Sequence, residues 1–290
     1  MPTVIKTVCF VILKIANMDC YCTTIFTKVI YYMSNWLQLI LPNICVLCGN
    51  RCNKQQSVFN ENYENNQVSL ALDLCSACQQ ELPVIKSACA QCAAPLPIQY
   101  NSNIETITNT SKKILCGACL KISQPFAKTI APYFYHTPID HLIAQLKFQK
   151  QLVYARILGL LLANFLLHHY KNRDTPQIII PIPLHKYRLK ERGFNQSLEI
   201  AKPISKLLNI PINIQDCIRS KNTEPQSRLH AKERQNNIHN AFSVTKKSLT
   251  GKYVAVIDDV ITTGYTRKEF CTCLQRAGAC KIDVWACAHA

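Results

Sequence analysis

The segment from Val254 to Thr266 constrains the fold more than any other part of this chain. It reads Val-Ala-Val-Ile-Asp-Asp-Val-Ile-Thr-Thr-Gly-Tyr-Thr. The apolar, β-branched run from Val254 to Ile257 is typical of a strand buried on both faces of a parallel sheet. Residues 267–277 can form a helix after the hydroxyl-rich turn. The segment therefore predicts a strand, a turn and a helix within an α/β fold.

The polar residues of this segment predict a site for a sugar phosphate. Asp258 and Asp259 come where the strand is expected to end, and adjacent carboxylates can accept hydrogen bonds from neighbouring sugar hydroxyls. The turn of Thr262, Thr263 and Gly264 leads into a helix N-terminus, where backbone N–H groups and the helix dipole favour a phosphate. The sequence contains neither a P-loop nor a Gly-x-Gly-x-x-Gly motif, so other nucleotide-binding loops lack their defining residues. A ribose 5-phosphate is the ligand that this pattern indicates.

Four Cys-x-x-Cys pairs predict a second module ahead of the α/β region. Such a turn lets two thiolates converge on one metal, and two turns complete a tetrahedral zinc site. The chain has seventeen cysteines, yet this spacing favours reduced thiols in a cytosolic protein over a disulfide scaffold. We expect two structural zinc ions with no coordination position open for catalysis. The expected ligands are Cys45, Cys48, Cys75, Cys78, Cys89, Cys92, Cys116 and Cys119.

The spacing leaves two arrangements of the four pairs open. Sequential pairing puts the first two pairs on one zinc and the last two on the other, whereas a cross-brace interleaves them. Cys52 is expected to be a spare thiol. Gly49 and Gly117 each follow a cysteine of a pair, where a tight turn favours positive φ. Few large apolar residues lie in this segment, so we expect it to need the metal to fold.

Residues 1–32 are apolar but do not read as a membrane span. Charged residues at four positions leave no uninterrupted run long enough to cross a bilayer, so no stable membrane insertion is expected. We interpret Met33 as the true start and residues 1–32 as an over-extended reading frame; a weak membrane-surface anchor is the alternative. The predicted domains are this extension, a double zinc ribbon over 33–125 and an α/β domain over 126–290.

Residues 126–290 alternate between strand and helix patterns. Strands are predicted over 129–135, 177–182, 253–257 and 282–288. Helices are predicted over 139–148, 155–170, 198–208 and 267–277. This alternation predicts a parallel sheet that binds its ligand at the carboxyl ends of its strands.

A basic region between the predicted strands favours anionic partners. Residues 186–252 contain fourteen Lys and Arg against five Asp and Glu. Lys186, Arg188 and Arg192 come in the loop predicted after the strand of 177–182, where they suit a pyrophosphate. A further polar block from Arg219 to Phe242 is interpreted as a mobile lid. Phosphorylated metabolites and nucleic acid are both consistent with this charge.

The motifs together resemble the ComF/GntX family. The resemblance rests on Pro-Ile-Pro-Leu-His-x-x-Arg-x-x-x-Arg-Gly-Phe-Asn-Gln from Pro181, on the block from Arg219 to Phe242, on Leu-Lys-Phe at 146–148 and on the Asp-Asp loop. The four cysteine pairs also match this family, and the likeness runs from about Met33 to the C-terminus. It implies a type I phosphoribosyltransferase fold behind a double zinc ribbon, and association with natural competence or the use of external DNA.

The resemblance also implies roles for the loop residues. The Asp-Asp loop is similar to the phosphoribosyl-pyrophosphate (PRPP) loop of type I phosphoribosyltransferases. Asp258 and Asp259 would hold the ribose hydroxyls, with Mg²⁺ bridging the pyrophosphate and ribose oxygens. Lys186, Arg188 and Arg192 are expected on the pyrophosphate. The residues that would wrap the 5-phosphate are Thr262, Thr263, Gly264, Tyr265 and Thr266.

Three interpretations of the function stay open on the sequence alone. The favoured one is a cytoplasmic phosphoribosyltransferase-like protein that binds PRPP, takes part in DNA uptake and meets other competence proteins. Its acceptor and its turnover are not specified, since no acceptor-activating base stands out; His185 and His230 are candidates that are more often bystanders. The alternatives are a non-catalytic factor that binds single-stranded DNA and a PRPP-responsive regulator.

Overall fold

The computed structural model describes residues 44–52, 72–97, 114–221, 240–244 and 249–290. The chain divides into two compact units. Of the described residues, 44–52 and 73–75 belong to the first unit, and residue 72 and all those from 76 onward belong to the second. The extension of residues 1–32, the start at Met33 and most of the block from Arg219 to Phe242, with His230, lie outside the described residues. The domain boundary at residue 125 stays a prediction.

A parallel sheet forms the core of the second unit. Its strands are β1 (Lys128–Ile130), β2 (Tyr133–Phe134), β3 (Ile178–Pro181), β6 (Tyr253–Ile261) and β7 (Lys281–His289), and a separate antiparallel pair is β4 (Cys217–Arg219) with β5 (Phe242–Val244). The order is β1–β7–β6–β3, and β2 pairs with β7 further along the same edge. Every pairing in this sheet is parallel, which confirms the predicted fold class.

Seven helices lie in the described residues. They are α1 (Ser76–Gln80), α2 (Gly117–Lys121), α3 (Ile139–Phe148), α4 (Leu152–Tyr170), α5 (Lys186–Arg192), α6 (Gln196–Leu208) and α7 (Tyr265–Arg276). The bounds predicted for α3 are confirmed. The strand predicted over 129–135 is instead two short strands, because residues 131–132 leave the ladder between them.

The loop predicted after β3 contains the short helix α5. His185 starts this helix, since its Nδ1 accepts a hydrogen bond from the Tyr187 backbone N–H at 3.4 Å. Gly193 ends it in the left-handed conformation, at φ 83°. Lys186, Arg188 and Arg192 therefore lie on a helix rather than on an extended loop.

Helix α4 is a core element of this unit. Among the described helices it alone is long and apolar enough to cross a bilayer, yet half of its most apolar stretch is buried inside the fold. At Gly159 an added Cβ would lie 2.4 Å from Pro203 Cγ and 2.5 Å from the Ile200 carbonyl oxygen. The glycine therefore allows α4 and α6 to pack with their backbones close together.

A buried polar cluster, which we call the Asp283 cluster, lies near the amino ends of the strands. Asp283 in β7 is fully buried, and its Oδ2 accepts hydrogen bonds from the hydroxyls of Tyr170 and Tyr253, each at 2.5 Å. Lys128 Nζ lies 3.4 Å from the same oxygen, and Trp285 Nε1 donates to the Tyr170 hydroxyl at 3.0 Å. The cluster joins β1, β6 and β7 to helix α4.

Candidate functional site

Two adjacent carboxylates mark the carboxyl edge of the sheet. Strand β6 runs to Ile261, so Asp258 and Asp259 lie inside the strand and not after it, as the sequence had indicated. The strand is longer because its pairing with β7 continues to the register Ile261–His289. Asp258 Oδ1 accepts a hydrogen bond from the Asp259 N–H at 2.9 Å, and Asp259 Oδ1 accepts one from the Val260 N–H at 2.7 Å. These bonds fix both carboxyl groups to the strand backbone.

Lys147 of α3 forms an ion pair with this carboxylate pair. Its Nζ lies 2.8 Å from Asp259 Oδ2. Burial opposes the charge of Lys147, but Asp259 and Asp258 outweigh it and hold the lysine pKa above its ordinary value. Burial of Asp258, together with the neighbouring charge of Asp259, raises the pKa of Asp258 to about 7. At neutral pH Asp258 is therefore partly protonated.

The sequence prediction did not assign a role to Lys147, although a signal for one exists. Four apolar residues of α3 recur at helical spacing and are fully buried: Ile139, Leu142, Ile143 and Leu146. Lys147 is four residues after Ile143, so it points to the same face. A single lysine on a buried apolar face predicts a carboxylate partner in the core.

The turn after β6 presents donors to solvent. Thr262 and Thr263 are exposed, and Gly264 adopts the left-handed conformation at φ 75°. Helix α7 starts at Tyr265, so Tyr265 and Thr266 lie in its first turn. That turn contains no acidic residue, and no side chain caps it. A helix N-terminus that follows such a turn favours the binding of an anion.

A second group of cations lies next to the carboxylates. Burial and the nearby Arg188 guanidinium lower the pKa of Arg219 to about 10, whereas Asp258 acts in the opposite direction. Burial and Arg192 likewise lower the pKa of Arg188. Two guanidinium groups that repel one another beside a carboxylate favour the binding of an anion between them.

The structure brings together some of the predicted basic residues but not all. Arg188 lies near Arg219, which in turn feels the charge of Asp258. Lys186 is exposed, and Arg192 Nη1 donates to Gln196 Oε1 at 3.0 Å. The sequence analysis assigned Arg219 to the predicted lid and gave it no individual role in the site. The reason is that the short strand β4, which holds Arg219, gives no periodic signal. His185 is buried as the cap of α5, which agrees with its interpretation as a bystander.

The eight paired cysteines form two tetrads. Within each tetrad all sulfur atoms lie within 4.8 Å of one another. Cys48 Sγ lies 3.7 Å from Cys75 Sγ, and Cys92 Sγ lies 3.6 Å from Cys116 Sγ. The pairing is therefore sequential, and the cross-brace is wrong. The first tetrad is Cys45, Cys48, Cys75 and Cys78; the second tetrad is Cys89, Cys92, Cys116 and Cys119.

Backbone donors prepare both tetrads for a metal. Burial opposes the thiolate form of Cys45 and Cys89, but backbone N–H groups outweigh it and lower the pKa of each thiol to about 6. One such donor is the Cys116 N–H, which lies 3.2 Å from Cys89 Sγ. Four converging sulfurs with amide donors fit a structural zinc ion. Cys52 belongs to neither tetrad, as expected.

The glycine predictions in these turns were half right. Gly49 adopts φ 73° after Cys48, as expected. Gly117 does not, because it starts helix α2. The left-handed residue of the second tetrad is Ala93, at φ 61°, which follows Cys92 and is almost fully buried.

Comparison with known proteins gives relatives over most of the chain. No family model matches the sequence. DNA utilization protein YhgH of Escherichia coli (strain K12) is 30% identical over 252 residues, which cover 85% of this chain and 97% of that protein. Competence protein F of Haemophilus influenzae is 35% identical over 222 residues, which cover 75% and 90%. Competence protein ComFC of Bacillus subtilis is 34% identical over 105 residues, which cover 36% and 41%.

Solved structures overlap with a smaller part of the chain. The glutamine PRPP amidotransferase from B. subtilis is 19% identical, with a TM-score of 0.31 over 46% of this chain and 25% of that one. Hypoxanthine phosphoribosyltransferase from Trypanosoma cruzi is 12% identical, with a TM-score of 0.30 over 47% and 64%. Scores this low carry no argument, so family membership rests on the sequence relatives. Because relatives at 30% and 35% identity match most of both chains, this chain belongs to the ComF family.

Proposed function

We propose that this protein binds PRPP with Mg²⁺ at the carboxyl edge of β6 and acts in the cytoplasm in DNA uptake and use. The observation that supports this best is the arrangement of Asp258 and Asp259, paired with Lys147, directly before an uncapped helix N-terminus. The names of the relatives, a DNA utilization protein and competence proteins, support the biological role.

The charges of the site match the charges of PRPP. Asp258 and Asp259 would accept hydrogen bonds from the ribose hydroxyls, and the turn of residues 262–266 would hold the 5-phosphate. Arg188 and Arg219 would bind the pyrophosphate, whose charge relieves their mutual repulsion. Mg²⁺, an oxygen-seeking cation, would enter with the pyrophosphate and neutralise part of its charge. If turnover occurs, positioning and stabilisation of the leaving pyrophosphate would account for most of the rate.

The direct test is calorimetric titration of the zinc-loaded protein with PRPP and Mg²⁺. We expect wild type to bind, and an Asp258→Asn/Asp259→Asn variant to bind at least about 100-fold more weakly, because each carboxylate loses a charge-assisted hydrogen bond. An Asp174→Asn variant, which changes an exposed carboxylate of the same unit, is the matched control and should bind like wild type.

Each outcome of this titration selects between the functional classes. Binding that the double variant loses would justify a search for the acceptor, with pyrophosphate release as the readout of turnover; binding without any release would favour a PRPP-responsive regulator. No binding by folded wild type would contradict the proposal. The protein would then be better explained as a single-stranded DNA binder whose affinity falls steeply with salt.

The affinity for PRPP is also expected to depend on pH. An ionised carboxylate accepts stronger hydrogen bonds from ribose hydroxyls than a protonated carboxyl group does, and the pKa of Asp258 is about 7. Ionised Asp258 predominates above this pKa, so the dissociation constant should rise about tenfold from pH 8 to pH 6. Calorimetry across this range measures the change.

A Lys147→Met variant distinguishes the titration of the protein from the titration of PRPP in this measurement. PRPP titrates identically with both proteins, so any shift between the two profiles belongs to the site. Lys147 lowers the Asp258 pKa, so its loss should move the midpoint to higher pH. Superimposable profiles would contradict the assignment of the pH dependence to Asp258.

A further inference from the structure

Arg267 is a buried cation that the proposed PRPP site does not use directly. It is the third residue of α7 and is only 8% exposed. A cation in the first turn of a helix is opposed by the helix dipole, and a buried charge costs free energy unless partners compensate it. Its position therefore needs an explanation from its surroundings.

Arg267 contacts the second tetrad, Phe126 and the turn of residues 262–266, which we call the phosphate turn, and it feels the charge of Asp258. Its Nη1 donates a hydrogen bond to the backbone carbonyl of Cys92 at 3.3 Å. Its guanidinium carbon lies 5.1 Å from the centre of the Phe126 ring, within the range of a cation–π contact. Among the described residues no carboxylate forms an ion pair with it. A tetrathiolate zinc centre carries net negative charge, so a metal in the second tetrad would complement this cation.

The other side of the guanidinium lies against Gly264. A Cβ added to this glycine would lie 2.9 Å from Arg267 Nε and 3.0 Å from Nη2. The side chain thus folds back over the bare Cα of the turn that precedes α7. Arg267 can occupy this position because Gly264, at φ 75°, has no Cβ.

The same cysteine turn contacts the chain before the phosphate turn as well. Ala93 packs in a buried cluster with Ala131, Ala286 and Ile261, the last residue of β6. Residues 92 and 93 therefore contact both ends of the segment 262–266, through Ile261 before it and Arg267 after it. Movement of this cysteine turn would move the phosphate turn with it.

We propose that Arg267 is a positioning residue that couples the second tetrad to the phosphate-binding turn, so that zinc in the tetrad and PRPP at the turn strengthen each other's binding. The proposal rests on the proposed function, because it takes PRPP as the ligand of the turn. Coupling between two sites is reciprocal at equilibrium, so PRPP must raise the affinity for zinc if zinc favours PRPP binding.

The first test compares PRPP affinities of zinc-loaded variants. Arg267→Met keeps a long side chain but removes the donor and the charge, and should weaken PRPP binding by about fivefold to 150-fold. Arg267→Lys keeps the charge without the planar fork and should recover part of the loss. Arg276→Met, at an exposed arginine in the last turn of the same helix, is the matched control and should bind like wild type.

The second test needs no variant that could misfold. The zinc affinity of wild type is measured by equilibrium competition with a zinc-selective chromophoric chelator, with and without saturating PRPP and Mg²⁺. We expect PRPP to raise the affinity for one zinc ion by about fivefold to 150-fold, and to have no such effect in the Arg267→Met variant.

The outcomes separate this inference from the proposed function. Wild type that binds no PRPP would overturn both. Wild type that binds PRPP but holds both zinc ions with unchanged affinity would overturn the coupling alone, as would an Arg267→Met variant with wild-type PRPP affinity. Tighter zinc binding in the presence of PRPP, lost in Arg267→Met and kept in Arg276→Met, would support it.

Discussion

Removal of zinc is expected to unfold the two cysteine tetrads and their connecting segments, while the parallel sheet keeps its structure. The buried cluster around the second tetrad is built from three of its own ligands, Cys89, Cys92 and Cys119, with only small or partly buried apolar neighbours. A core of this size does not stabilise a fold without metal. Zinc binding contributes about 10–16 kcal/mol in zinc-finger peptides, so we expect both tetrads to unfold when zinc is removed.

Metal analysis and hydrogen exchange together measure this effect. Purified protein should contain two zinc ions per chain, one for each tetrad. After chelation, amides of residues 72–97 and 114–121 should exchange rapidly, whereas those of β6 and β7 should stay protected. Cys116→Ser should lose one zinc ion, and Cys52→Ser, which removes a thiol outside both tetrads, should lose none. Unchanged protection of the cysteine segments after complete chelation would contradict the structural role of zinc.

The second large effect is expected at Asp283. Asp283→Ala would leave two buried tyrosine hydroxyls and the Lys128 ammonium without their shared acceptor. Each buried hydroxyl that loses its acceptor typically costs about 1–3 kcal/mol, whereas Lys128 is partly exposed and keeps its contact with His169. The free energy of unfolding should therefore fall by about 2–6 kcal/mol, since the cluster joins three strands to α4.

Urea denaturation of zinc-loaded protein provides the measurement. Trp285 belongs to the Asp283 cluster, so its fluorescence should follow the unfolding of the sheet. Asp174→Ala, at an exposed aspartate of the same unit, is the control and should change stability by less than about 0.5 kcal/mol. If Asp283→Ala lowers the free energy of unfolding by no more than Asp174→Ala does, the cluster adds little to stability.

Some features of the site could be predicted from the sequence because they depend on residues close together in the chain. The apolar run of β6, the adjacent acids and the Thr-Thr-Gly turn lie within thirteen residues, so their order alone places them at one strand end. The Cys-x-x-Cys pairs are local in the same sense. The sequence identified all eight cysteines that the structure brings into two tetrads, although it left the pairing of the turns open.

The structure decided every feature that depends on contacts between distant segments. Lys147 forms an ion pair with Asp259, which is more than one hundred residues further along the chain. Arg219 lies near Arg188, but it belongs to a short strand that gives no periodic signal in the sequence. Nothing in the spacing of the cysteines indicates that residues 92 and 93 contact both sides of the phosphate turn. Strand β6 also exceeds its apolar run, because pairing with β7 extends it through two carboxylates.

The sequence by itself determined the local chemistry of this protein: two sets of cysteines that can hold a metal, a carboxylate pair and a hydroxyl-rich turn before a helix. Only the tertiary structure decided which charges surround these groups and which contacts hold them in place. Lys147 pairs with Asp259 from another element, Arg219 acts on Asp258, and burial in the fold raises the pKa of Asp258 to about 7. Local patterns report the backbone that a segment prefers, whereas charge balance in a buried site depends on side chains that only folding brings together.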